Sequence, residues 1–237
     1  MIHPRIIKFC RLNLGLKPVV DYAQSRSKLM GITDLPIRTV FDIGSNEGKK
    51  AKQYSKLFPE ASVYCLEPVP QTFAKLESWA KRQGDRVQAF NLAIGSARGF
   101  ATMHSNQTHS GGSSLIGRRS PGESYLEIPV RVETLDALAD RLNVQDQIFV
   151  KIDTEGFDME VVKGGQQLLR RAHAVTIEIA ISNAPDGRPG FREFIDTMHA
   201  LGYMYRGNLA HGFVNGVAHL ADAVFMRPAA EAFRAAA

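Results

Sequence analysis

The chain has 237 residues, 44% of them apolar, and its 29 basic and 24 acidic side chains leave a formal net charge of +5. At roughly 150 residues per domain this is one domain with an extension, and the apolar content excludes fibrous, collagenous and disordered chains. No uncharged apolar run reaches the roughly 18 residues a bilayer needs, and the N-terminus shows no signal-peptide core, so a cytoplasmic protein without a transmembrane segment is expected.

Residues 1–36 read as an N-terminal helical extension. Ile6, Phe9 and Cys10 share a face, Pro18 interrupts, and a second helix runs from Val19 to Met30, packed on the core or laid on a partner or membrane surface. Cys10 and Cys65 stand far apart in apolar surroundings, which fits buried thiols rather than a disulfide or a metal site. From Arg38 the chain alternates. A β-rich run over 39–43 ends at Gly44, and Ala51, Tyr54, Leu57 and Phe58 follow at helical spacing. A second strand over 62–67 ends at Pro68, Pro70 opens a helix carrying Phe73, Leu76 and Ala80, and a third strand covers 87–92. Strands over 99–104 and 126–132 flank a long Ser/Gly/Asn-rich loop, 105–124, of the kind that forms lids. The rhythm resumes with helix 134–142, strand 147–152, helix 158–171, strand 175–181, helix 191–201 and strand candidates at 202–205 and 221–226, the last of them antiparallel. This is an α/β fold, a mainly parallel sheet with helices on both faces, occupying 37–228 ahead of a C-terminal tail, 229–237.

Ligands of such sheets bind outside the carboxyl ends of the strands. There the first strand delivers Asp42-Ile43-Gly44-Ser45-Asn46-Glu47-Gly48, and the second delivers Glu67-Pro68. Glycines at 44 and 48 permit positive φ and close approach of a ligand, and an acid ending the next strand can accept both hydroxyls of a ribose. A phosphate-binding P-loop fails, since three residues separate the glycines and Lys50 stands where the hydroxyl is needed. A dinucleotide turn needs glycine where Asn46 stands. S-adenosylmethionine, with its adenosine, ammonium and carboxylate but no phosphate, explains an acid before the glycine: Asp42 for the ammonium, the turn's amides for the carboxylate, Glu67 for the ribose.

Further on, Asp153 and Glu155 follow the strand at 147–152 and can both project into the crevice, with Lys151 as an ion-pair partner. Two crowded acids can make one a competent base; alternatively Asp153 binds ligand and Glu155 caps the helix near Asp158. Glu178, a charge inside an apolar strand, also points to the crevice. With Asp153 and Glu155 it could hold Mg²⁺, but a single hydrogen-bonded buried acid explains it as well, and no metal ligand is assigned. His109, on the loop expected to cover the site, is a rival base; His104, His173 and His211, the last placed in a Gly/Asn-rich loop, have no ligand-spaced partners.

The series Phe41 to Gly48, Leu66-Glu67-Pro68, Asn91-Leu92-Ala93-Ile94-Gly95, Gly112-Ser113-Ser114-Leu115, Val132-Glu133-Thr134-Leu135-Asp136 and Lys151 to Asp158 resembles the FkbM-type S-adenosylmethionine-dependent methyltransferases over residues 38–181. The resemblance implies a class I methyltransferase fold, a three-layer, Rossmann-like sandwich with a seven-stranded, mainly parallel sheet containing an antiparallel strand. It also implies O-methylation of a hydroxyl on a sugar, glycan or secondary metabolite, with S-adenosylhomocysteine as product. It places Asp42, Gly44, Ser45, Asn46 and Gly48 at the methionine end, Glu67 and Pro68 at the ribose, and Ala93 and Ile94 at adenine. Asn91 braces the strand end, Ser114 closes over the site, and Asp153 touches cofactor or substrate. Lys49 and Lys50 and the loop 105–124 depart from the family pattern. The alternatives are a nucleic-acid (RNA) methyltransferase, which the dispersed basic pairs argue against, and a non-catalytic nucleotide-binding module. The acceptor and the oligomeric state are not encoded in any readable motif.

Overall fold

The computed structural model describes residues 30–117, 122–181, 188–214 and 217–228; the expected helices within 1–29 and the tail 229–237 lie outside them. Strands β1 (Thr39–Ile43), β2 (Ser62–Leu66) and β3 (Val87–Phe90) alternate with helices α1 (Lys49–Leu57) and α2 (Pro70–Lys81). After the short β4 (Ala93–Ile94) come β5 (Gly99–Asn106), β6 (Tyr125–Glu133) and α3 (Leu135–Ala139). The chain then runs through β7 (Ile148–Ile152), α4 (Asp158–Gly164), α5 (Gln166–Arg171), β8 (Ala174–Ala180), α6 (Phe191–Ala200), β9 (Met204–Val214) and β10 (Val217–Met226).

Seven strands form one sheet in the order β3-β2-β1-β7-β8-β10-β9, and β10 alone runs against its neighbours. This is the class I methyltransferase arrangement. Strand order reverses between β1 and β7, so the carboxyl ends of these two strands border the crevice where such sheets take ligands. Alternation along each strand sorts the core into two layers. Phe41, Ile43, Val150, Ile152 and Ile177 pack with Leu135, Val161, Leu168, Phe194 and Met198 of α3 to α6. Val40, Val63, Cys65 and Phe149 pack with Ala51, Tyr54, Leu76 and Ala80 of α1 and α2. Ile32 belongs to this second layer, so the described end of the extension packs on the core.

Several expected boundaries change. The third strand stops at Phe90, because Ala93 and Ile94 leave the large sheet and pair with Val132 and Glu133 in a small sheet of order β4-β6-β5. The helix expected over 158–171 breaks at Gly165, whose α-carbon presses on Leu135 so closely that a Cβ would meet its Cδ2 at 2.7 Å. Ser105 and Asn106 extend β5 into the expected loop. His211 lies in β9 rather than in a loop, and α3 is shorter than expected, starting behind a Thr134 hydroxyl that accepts the Ala137 amide at 3.3 Å. Among the described residues no helix is long and apolar enough to cross a membrane.

Candidate active site

The corner after β1 is held by β2. Gly44 and Ser45 donate their amides to the Leu66 carbonyl at 3.0 and 2.9 Å, and the Ser45 hydroxyl donates to the Asp42 carbonyl at 2.6 Å while accepting the Leu66 amide at 3.1 Å. Ser45 is therefore a buried staple of the corner. Gly44 has φ +75°, and a Cβ on it would lie 1.8 Å from the Asp153 carbonyl oxygen, so only glycine lets β1 and β7 close here. Gly48, at φ +81°, starts α1 against Leu76, where a Cβ would fall 2.8 Å from Cδ1.

Glu67 ends β2 and reaches across to that corner. Its carboxylate accepts the Asn46 amide at 2.9 Å and the Val69 amide at 2.9 Å, and Asn91 donates to the Glu67 and Pro68 carbonyls at 2.9 and 3.0 Å, bracing the strand end. Burial pushes the Glu67 carboxyl up to about 7 despite the two amide donors. A cleft opens over these residues. Its floor is Ile43, Gly44 and Asn46; one wall is Glu67, Pro68 and Val69 with Leu92, Ala93 and Ile94; the other is Asp153, Thr154 and Glu155; and residues 110–113 with Leu115 form its roof.

Asp42, expected at the methionine end, does not line this cleft. Its neighbours Phe41 and Ile43 face the α3 to α6 layer, so alternation turns Asp42 to the α1 side, where it is fully buried 3.5 Å from the Lys151 ammonium. Burial raises its carboxyl above the ordinary range, with Lys151 opposing that rise. His109 does not line the cleft either. Its Nε2 lies 2.9 Å from Glu123, which also accepts from Asn106 at 2.9 Å, so His109 ties together the two ends of its own loop. Ser114 is buried and donates to the Glu155 carbonyl at 2.8 Å, pinning the roof beside the cleft rather than lining it.

Asp153, Glu155 and Glu178 do converge: carboxylate oxygens of all three lie within 4.8 Å of one another. Such a set suits either a divalent cation or shared protons. Burial, with the charges of Asp153, Glu155, Asp158 and Asp222, pushes Glu178 up to about 9, which favours its protonated form. Glu155 does not cap the following helix. Asp158 does the bracing, accepting from the Thr154 amide at 2.8 Å, the Thr154 hydroxyl at 2.9 Å and the Gly156 amide at 3.0 Å, and burial pushes it up to about 6. Glu155, at φ +53°, instead accepts the Gly112 amide at 3.2 Å and so joins the acid cluster to the roof. Lys151 stands 3.0 Å from Asp153. Burial alone would lower its pKa, but Asp42 and Asp153 more than reverse this and hold it charged. Asp222, in register with Glu178 across β8 and β10, was not singled out from sequence, although a lone acid inside the apolar strand 221–226 carries the same signal that marked Glu178.

A family model described as "Methyltransferase FkbM domain" matches residues 42–205. The chain is 23% identical over 198 residues to the 2-O-methyltransferase NoeI of Sinorhizobium fredii, covering 78% of this chain and 80% of that protein. It is 26% identical over 140 residues to the hexuronic acid methyltransferase AglP of Haloferax volcanii, covering 59% and 55%. Among solved structures it is similar to magnesium protoporphyrin IX methyltransferase (ChlM) from Synechocystis PCC 6803, with a TM-score of 0.48 and 10% identity over 94% of this chain and 96% of that one.

Proposed function

The chain belongs to the FkbM methyltransferase family, and from that premise we propose that it transfers the methyl group of S-adenosylmethionine to a hydroxyl of a sugar or glycan. The observation that carries this reading is the meeting of three carboxylates at the rim of a cleft floored by Gly44. The cleft suits the cofactor: the bare Gly44 α-carbon and the Asn46 turn receive the methionine end, buried Glu67 accepts from a ribose diol, and Leu92, Ala93 and Ile94 give an apolar face for adenine. Bound there, S-adenosylmethionine supplies a methyl group activated by its sulfonium.

An alcohol becomes a useful nucleophile only as its proton is withdrawn, which a carboxylate within hydrogen-bond reach can do. Asp153 and Glu155 line the cleft and are the pair assigned to that task, orienting the hydroxyl and receiving its proton. Burial and the neighbouring acids push the Glu178 carboxyl up to about 9, which favours a proton on it and limits the charge held in one place. A proton on Glu178 offsets part of the charge of the three acids, so this reading needs no cation. The names of the two relatives, a 2-O-methyltransferase and a hexuronic acid methyltransferase, support a saccharide acceptor, and the catalytic domain is taken to span 37–228.

Calorimetry should show binding of S-adenosylhomocysteine and none of NAD. Incubation with methyl-labelled S-adenosylmethionine and a panel of oligosaccharides should then give alkali-stable label, as expected of a methyl ether. Alkali-labile label would mean a methyl ester on a uronic carboxylate and would overturn transfer to hydroxyl. Failure to bind S-adenosylhomocysteine would remove the whole reading.

A further inference from the structure

Lys151 is 6% exposed in the central strand β7, in register with Asp42 on one side and Thr176 on the other. Its ammonium meets three acceptors: it donates to the Gly44 carbonyl at 3.2 Å and lies 3.0 Å from Asp153 and 3.5 Å from Asp42. The Gly44 contact is a hydrogen bond and the two carboxylate contacts are ion pairs, that to Asp42 the longer. Compensating the buried Asp42 explains one contact of the three. The other two join the corner after β1 to the acid after β7. The main-chain ladder between these strands gives its last bond from the Asp153 amide to the Ile43 carbonyl at 3.0 Å. Beyond that bond, the ammonium ties the Gly44 carbonyl, through a hydrogen bond, to the Asp153 carboxylate, through an ion pair.

We propose that Lys151 is a positioning residue for methyl transfer, cross-bracing the Gly44 corner against the Asp153 carboxylate so that cofactor and acid keep a fixed separation. The inference rests on the reading of that corner as the S-adenosylmethionine site. A lysine that only compensates Asp42 becomes dispensable once Asp42 is neutral, and a brace does not.

The test compares Asp42→Asn, Lys151→Met and the double variant by thermal midpoint, by S-adenosylhomocysteine calorimetry and by the amide resonances of Ser45 and Thr154, which follow the braced Gly44 and Asp153. Lys151→Met alone leaves Asp42 buried without its cation and is expected to be destabilised or unfolded. The double variant should recover the midpoint of Asp42→Asn, yet bind S-adenosylhomocysteine about tenfold or more weakly than that single variant, because small misplacements in a preorganised site are costly. Its Ser45 and Thr154 amides should shift relative to Asp42→Asn. Equal affinity and unshifted amides in the double variant and Asp42→Asn would overturn the proposal. If the unmodified protein binds no S-adenosylhomocysteine, the methyltransferase site is lost, while the amide shifts still decide whether Lys151 is a brace.

Discussion

The Glu67 carboxylate on β2 accepts the amide proton of Asn46, which stands at φ +51° in the turn after β1, at 2.9 Å. The acid assigned to the ribose is therefore also part of the corner assigned to the methionine end, and its protonation state touches both.

Because burial pushes Glu67 up to about 7, S-adenosylhomocysteine binding should depend on pH. An ionised carboxylate is the better acceptor for two ribose hydroxyls, so binding favours the deprotonated form. Affinity should rise from pH 6 to pH 8, with a limiting slope of about tenfold per pH unit below the midpoint. Glu67→Gln should flatten that rise and weaken binding at pH 8 by about 10- to 100-fold, the range for a lost charge-assisted pair of bonds. Calorimetry at pH 6, 7 and 8 decides; an unchanged slope in the variant would move the titrating group elsewhere.

Much of this corner was legible because its signals are local. Gly44, Gly48 and Pro68 punctuate strand ends, and an acid at the end of β2 is placed by counting along the strand. Facing was harder. Asp42 stands only two positions before Gly44, yet strand alternation turns its side chain to the α1 layer, away from the cleft. Long-range pairing was also hidden: the Gly/Asn-rich stretch around His211 reads as a loop, but β10 holds it as a strand through several register shifts. The break at Gly165 comes from Leu135, some thirty positions earlier, which helical periodicity does not see. The three acids were grouped from their places at strand ends and in an apolar strand, and the adjacency of β7 and β8 brings them to one point.

Gly44→Ala should be among the most damaging single changes in the chain. The new Cβ meets backbone, the Asp153 carbonyl, at 1.8 Å and also faces the penalty of φ +75°. Gly84→Ala is the control, with φ +64° and no atom within 4 Å. The control should cost about 1–2 kcal/mol, the price of a left-handed conformation alone, and Gly44→Ala more than about 4 kcal/mol. Denaturant titration measures both, and similar losses would mean that β1 and β7 can separate at little cost.

Burial raises Asp158 to about 6, Glu67 to about 7 and Glu178 to about 9, and it raises Asp42 and Asp222 as well. A raised carboxyl contributes stability that is present below its unfolded value, near 4.5 for glutamate, and is lost as pH rises through the folded value. The ligand-free protein should therefore lose thermal stability progressively between about pH 5 and pH 9. Glu178→Gln removes the last step. Its midpoint should match the parent at pH 5, where Glu178 is protonated, and exceed it at pH 9 by about 2–4 °C, equivalent to about 1 kcal/mol in a domain of this size. A variant less stable than the parent at pH 9 would show that the ionised Glu178 is paired.

Glu155 combines a charge in the acid cluster with a hydrogen bond to the roof, and two substitutions separate them. Glu155→Gln keeps an oxygen for the Gly112 amide and loses the charge, so turnover should fall about 10²- to 10⁴-fold, the usual range for a lost general base, with S-adenosylhomocysteine affinity changed little. Asp153→Asn should behave alike, because both acids line the cleft. Ser114→Ala frees the roof from the Glu155 carbonyl without touching any carboxylate, so it should raise the acceptor KM more than it lowers kcat. Dialysis against EDTA should leave all four proteins as active as before, since a proton favoured on Glu178 already offsets part of the charge of the three acids. If EDTA abolishes turnover and Mg²⁺ restores it, the cluster holds a cation, and the loss in Glu155→Gln is then the loss of that ion.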